Sequence, residues 1–176
     1  MIKLIKKSEN NTGYWEVWEH NKTLIVHQGT VGDTGSYNQR SLSLFENPKK
    51  AMKKLAEEFI KQGYHELDDE DLTQFVIHYD GAGGDLSKAL EKRHQIENYL
   101  NECLGWTGNG DCDGGEIGLK EGDINIFCYV VDVQHAATTI LDELKKNNEI
   151  DGAVLAFSDQ NEKYTTVYPE RAVFTL

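Results

Sequence analysis

Tyr14-Trp15-Glu16-Val17-Trp18-Glu19-His20, then Asn21-Lys22, then Thr23-Leu24-Ile25-Val26-His27-Gln28: the reading of this stretch decides the fold of the first part of the chain. The first run is aromatic and partly alternating, as a strand with a buried face requires. Asn21-Lys22 has the composition of a chain reversal. The third run is rich in β-branched residues and reads as the returning strand. Trp15 and Trp18 stand three apart, so alternation sets them on opposite sheet faces, with at least one in the core. Outward from here, Val31-Gly32-Asp33-Thr34-Gly35-Ser36 is a glycine-punctuated loop, and residues 37–44 alternate as a third strand. Asn47 is placed to cap a helix whose first position is Pro48, where a missing N–H costs nothing. Ala51, Met52, Leu55, Phe59 and Ile60 recur at helical spacing, and Gly63 stops the helix. Residues 1–64 thus predict a β-meander with one helix packed on it.

Residues 65–73 hold Glu66, Asp68, Asp69, Glu70 and Asp71, and are expected to form an acidic, solvated linker. A strand follows over 74–79, broken by Asp80-Gly81-Ala82-Gly83-Gly84. Asp85 is expected to cap a helix running to about Leu104, through Leu86, Leu90, Ile96 and Leu100. Residues 105–115 read as a Gly- and Asp-rich loop, with a further short strand over 116–119. A buried strand is expected over 124–132, a helix over 133–147, and two strands over 152–158 and 164–168 turned by Asp159-Gln160-Asn161-Glu162. The order β-α-(β)β-α-β-β suits a ferredoxin-like α/β sandwich over 74–176, with both helices on one sheet face. The fold class expected for the chain is therefore α+β.

Residues 1–64 carry ten Lys/Arg against seven Asp/Glu, a surplus of three positive charges, whereas 65–176 carry eight against twenty-three. Such asymmetry suggests two regions with different tasks, the acidic one repelled by a phosphate backbone. No stretch has the length and apolarity of a membrane span, and the N-terminus lacks the pattern of a signal peptide. Cys103, Cys112 and Cys128 are odd in number and without CxxC spacing, so a reducing cytoplasm is the expected location.

The aromatic first strand, the run Gln28-Gly29-Thr30-Val31-Gly32-Asp33-Thr34-Gly35-Ser36, the basic Lys49-Lys50-Ala51-Met52-Lys53-Lys54 and the ending Lys61-Gln62-Gly63-Tyr64 together resemble the WGR domain. That module is found in DNA-dependent poly(ADP-ribose) polymerases and in many bacterial proteins. The resemblance covers about residues 12–64 and implies a nucleic-acid-associated module in a protein of bacterial type. The Trp-Gly-Arg of the family name reads Gln28-Gly29-Thr30 here. Base–aromatic stacking, worth roughly 1–3 kcal/mol, and a guanidinium fork on phosphate are both lost at that site. The nucleic-acid-binding candidates are thus Gln28 and Thr30 at the degenerate motif, Arg40 on the third strand, and Lys49, Lys50, Lys53 and Lys54 on the helix. The same lysines would also suit an ordinary solvated helix face.

Asn109-Gly110-Asp111-Cys112-Asp113-Gly114 fits the opening of an EF-hand loop, with oxygen ligands at its first, third and fifth positions and Gly at the sixth. The twelfth position is Lys120 rather than a bidentate Glu, with Glu121 one place late. Asn109, Asp111, Asp113 and Glu116 are the metal candidates, for Ca²⁺; a polar turn held by Asx hydrogen bonds is the other reading. The glycines after Asp80 lack the Lys of a phosphate loop, and Cys112, Cys128 and His135 lack zinc-site spacing. No nucleophile–base set for catalysis is legible. The expected function is non-enzymatic binding by a degenerate WGR-like module. The alternative is an acidic interaction protein, of immunity or regulatory type, that caps a basic partner.

Overall fold

A computed structural model describes residues 1–81, 85–118, 122–159, 163–170 and 174. The chain is α+β and divides into two compact units, one of Met1–Asp71 with Trp106–Gly108, the other of Leu72–Gly105 with Asn109–Leu176.

The first unit is a five-stranded antiparallel sheet, β1 (Ile2–Lys7), β2 (Thr12–His20), β3 (Thr23–Thr30), β4 (Ser36–Ser41) and β5 (His65–Glu66), in the order β4-β3-β2-β1-β5. The reversal at Asn21-Lys22 is as expected: both residues have positive φ, 50° and 60°, the conformation that matches the twist of a two-residue hairpin. Helix α1 (Pro48–Ile60) starts where expected, Asn47 accepting a hydrogen bond from the Lys50 N–H at 3.1 Å. Gly63, at φ 92°, lets the chain turn so that the Tyr64 N–H reaches the Phe59 carbonyl. Leu4, Trp15, Val17 and Leu24 meet Ala51, Met52 and Ala56 of α1 in one core.

Three elements differ from expectation. Strand β1 was not legible, because Leu4 and Ile5 are both fully buried and so break the alternation a one-sided strand would show. β4 ends at Ser41 rather than at 44. The expected linker instead closes the sheet: β5 pairs Glu66 with Leu4 and His65 with Ile5, and a short 3₁₀ turn follows over Asp69–Asp71. Charge pairing between distant parts of the chain holds the segment there. Asp71 accepts from Lys7 Nζ at 2.6 Å and meets His65 Nε2 at 3.1 Å. The positive surplus of residues 1–64 is offset accordingly, since the unit carries ten Lys/Arg against twelve Asp/Glu.

Burial opposes ionisation of Asp71, but the hydrogen bonds from Lys7, the Asp68 N–H and His65 outweigh it and hold its carboxyl below the ordinary range. A depressed folded value stabilises the fold above the unfolded value of about 3.9 and loses that contribution as pH falls through the folded one. Asp71→Asn is therefore expected to lower stability at neutral pH and to flatten the acid limb of the stability profile. Parallel acid denaturation curves for the two proteins, read by circular dichroism, check this; coincident acid limbs would refute it.

The second unit contains β6 (Thr73–Tyr79), α2 (Leu86–Trp106, whose last residue belongs to the first unit), β7 (Gly110–Ile117), β8 (Ile124–Val130), α3 (Val133–Lys146), β9 (Ala153–Ser158) and β10 (Tyr164–Tyr168). Its antiparallel sheet has the order β10-β9-β6-β8-β7, compatible with the expected sandwich plus one added edge strand. Ala89, Ile96, Leu100 and Leu104 of α2 and Ala136, Ile140 and Leu144 of α3 share one core with Phe75, Ile77, Ile126, Cys128 and Leu155, so both helices cover the same sheet face. Asp132 caps α3 by accepting from the His135 N–H at 2.9 Å. The expected loop over 105–115 is instead the end of α2 and most of β7. Parts of the expected glycine turn (82–84) and hairpin turn (160–162) lie outside the described residues.

Candidate nucleic-acid interface

The basic face of α1 is assembled by helix geometry. Lys49 and Lys53 stand four apart, as do Lys50 and Lys54, so two adjacent rows form one exposed stripe on the first two turns. Among the described residues none of the four has a carboxylate within ion-pair distance. Their charge is placed against the helix macrodipole: lysines occupy the positive N-terminal end, while Glu57 and Glu58 occupy the negative C-terminal end. Stability alone favours the reverse arrangement, by about 0.3–1 kcal/mol per charge.

The segment before α1 adds two apolar groups, Leu44, which was expected to end the third strand, and Phe45 just after it. Arg40 donates to Glu46 Oε1 at 2.7 Å, and the Glu46 carboxylate also accepts from the Ser43 N–H at 3.3 Å. The Arg40 hydrogen bond, then that of Ser43, holds the Glu46 carboxyl below its ordinary range. These bonds fold residues 42–46 into a tight turn with Leu44 and Phe45 outward, 86% and 98% exposed. Two consecutive apolar residues just ahead of a helix cap were the available signal. Beside the cap lies a groove of about 440 Å³ lined by Met1, Trp18, Glu19, Asn47, Pro48, Lys49 and Met52.

The structure does not bring all the sequence candidates together. Arg40 is committed to Glu46. Gln28 lies opposite Trp15 and Thr30 opposite Gly13, whereas the helix start is flanked by Trp18 and Glu19. From Gly13 to Trp18 along β2 is about 17 Å at strand rise. Gln28-Gly29-Thr30 and the lysine rows therefore sit at opposite ends of the sheet.

Gly29 serves packing. A Cβ on Gly29 would stand 2.8 Å from Gly35 Cα and 3.0 Å from the Tyr14 ring, so this glycine permits a backbone contact that no side chain allows. Behind it, Glu16 Oε1 meets His27 Nδ1 at 2.7 Å, and His27 Nε2 faces the Thr34 carbonyl at 2.8 Å and the Tyr14 hydroxyl at 2.9 Å. Burial first, then the charges of Glu16 and Asp33, push the Tyr14 phenol up to about 12, so it remains a neutral donor to the Asp33 and Thr34 carbonyls. Trp106 sets its ring edge-on to His27 at 5.1 Å. Glu16, His27 and Tyr14 are all buried, beyond the reach of a substrate, and they tie the 31–36 loop to the sheet.

The metal candidates are dispersed. Asn109 is fully buried, its amide donating to the Asp132 carbonyl at 2.9 Å and its carbonyl accepting from the Asp132 N–H at 2.8 Å. Asp111 pairs in register with Tyr129, and Glu116 accepts from Asn125 at 3.0 Å. The EF-hand reading is thereby corrected: the segment with Asp113 is an extended strand with a bulge, which spreads its oxygens instead of converging them. Lys120 and Glu121 lie outside the described residues. Among the described residues no group of three or more His, Cys, Asp or Glu side chains is placed to hold a metal ion. No helix among them is long and apolar enough to cross a membrane. In comparisons with known proteins, the chain matches no family model, no curated protein and no solved structure.

Proposed function

We propose that the first unit is a degenerate WGR-like module that binds the phosphate backbone of nucleic acid through Lys49, Lys50, Lys53 and Lys54, with Phe45 stacking on an unpaired base. The observation that supports it is an exposed stripe of four lysines with no carboxylate at ion-pair distance among the described residues, two of which, Lys49 and Lys50, sit in the first turn against the helix macrodipole. A charge pattern that weakens the helix is explained by a ligand that the pattern serves. The exposed Phe45 beside the same helix favours single-stranded over duplex nucleic acid, since stacking needs an open base face.

Binding of a fluorescent single-stranded oligonucleotide, followed by anisotropy across salt concentrations, tests the reading. Four phosphate contacts on a single strand give a log–log salt slope near −3, so affinity falls roughly 50-fold between about 50 and 200 mM salt. Lys50→Glu is the sharpest variant. It puts a carboxylate three residues after the Asn47 cap, completing a reciprocal capping box. It is expected to raise the melting temperature while weakening binding. Loss of binding with loss of stability would leave the lysines a structural role, and no binding at low salt would overturn the proposal.

The acidic surplus of the second unit, eighteen Asp/Glu against eight Lys/Arg, favours a second reading, capture of a basic protein partner. Recovery of a basic protein from lysate, together with no oligonucleotide binding, would support it over the first.

A further inference from the structure

We propose that Cys112 and Cys128 form a modification site, a cross-strand dithiol that is oxidised to a disulfide by a low-molecular-weight disulfide such as oxidised glutathione. The two residues are direct partners in the antiparallel ladder of β7 and β8. The hydrogen bonding identifies which kind of partner they are. The Val131 N–H bonds to the Asn109 carbonyl, and the Cys112 N–H turns away from β8 to Asn101 Oδ1 at 2.9 Å. Counting from that bond, Cys112 and Cys128 occupy a non-hydrogen-bonded position. Such pairs have Cα atoms about 4.5 Å apart and their side chains closest, within the range that a disulfide spans.

The surroundings give the reaction direction and room. Cys112 is half-buried on an edge strand, whereas Cys128 is fully buried beneath it. A bulge follows Cys112, and a Cβ on Gly114 would meet open space, so β7 has freedom to adjust by the fraction of an ångström that bond formation needs. The interaction between the thiols, ahead of burial, holds Cys112 below the ordinary thiol range, and the same interaction pushes Cys128 well above it. The accessible sulfur is thus the attacking one.

Cys112 thiolate attacks one sulfur of the small disulfide, forming a mixed disulfide and expelling one small thiolate. That thiolate takes the Cys128 proton, and Cys128 Sγ attacks Cys112 Sγ, expelling the second small thiolate. Two protein thiols are oxidised and one small disulfide is reduced to two thiols. Cys103, on α2, packs against the same core but has no position in the ladder.

The full chain is equilibrated in mixtures of reduced and oxidised glutathione, quenched with acid, alkylated and mapped by peptide mass spectrometry. The expected product is a peptide pair joined through Cys112 and Cys128, lost again in reduced glutathione. Cys103→Ser is expected to retain it. Cys112→Ser is expected to lose it and to leave Cys128 unmodified. A stable glutathione adduct at Cys112 with no cross-link would overturn the proposal. So would a cross-link through Cys103, or no change in mixtures that oxidise a small reference dithiol.

Discussion

Trp15→Ala is expected to destabilise the protein by about 3–5 kcal/mol, the range for truncating a buried aromatic. Trp15 is 1% exposed and stacks on Phe59 of α1, ring centroids 4.7 Å apart and planes 25° apart. It joins β2 to the helix, and the cavity left behind faces Val17, Leu4 and Met52, which belong to the same core. A loss of this size is about a fifth or more of the 5–15 kcal/mol stability of a typical domain. Trp15→Phe gives an internal comparison. Trp15 Nε1 is buried with no acceptor among the described residues. Phe keeps most of the stacking and removes that orphan donor, which costs about 1–3 kcal/mol when left unmade. Urea unfolding of both variants should place Trp15→Phe much nearer the parent than Trp15→Ala. Equal losses would show that the indole makes a contact the ring stack does not describe.

The second large effect concerns glycine. A Cβ on Gly110 would stand 1.9 Å from the Tyr129 carbonyl oxygen, and Gly110 has φ 146°. The unfavourable backbone region alone costs on the order of 1–3 kcal/mol, and the clash is with backbone, which cannot rotate away. Gly110→Ala must therefore push β7 off β8 where Asp111 and Cys112 depend on the register. Two companions separate the causes. Gly114 has φ 90° but open space around its Cβ position, so Gly114→Ala reports backbone strain alone. Gly105 lies within α2 with nothing near, so Gly105→Ala should stabilise by about 0.5–1 kcal/mol through helix propensity. The expected ranking in chemical denaturation is Gly105→Ala above the parent, Gly114→Ala below it, and Gly110→Ala lowest. If Gly110→Ala matched Gly114→Ala, the close approach of β7 to β8 would be wrong.

Much of this architecture is written in local chemistry. Asn21-Lys22 reverses the chain because both residues tolerate positive φ, and Asn47-Pro48 starts α1 because one caps and the other needs no N–H. Asp132 caps α3 in the same way, although it was expected to end the preceding strand over 124–132. Such signals depend on neighbours within a few residues, so the sequence carries them. The lysine rows are equally local, being a consequence of helical period. Strand β1, the closure by β5 and the ladder position of Cys112 are set by partners far along the chain. Their pairing energies come from residues that a window of sequence does not contain.

The sequence by itself determined an α+β chain, the hairpin, the caps and the basic first turns of α1. Tertiary structure alone decided that residues 65–71 close a sheet, that Leu44 and Phe45 face solvent, that Asn109 bonds to the Asp132 backbone and that Asp111 lies in the β7–β8 ladder. It also decided that Gln28-Gly29-Thr30 lies far from the lysines. The physical reason is range: capping and helical period act over one or two turns of chain. Strand pairing, burial on a second face and the convergence of side chains are fixed only when distant segments meet.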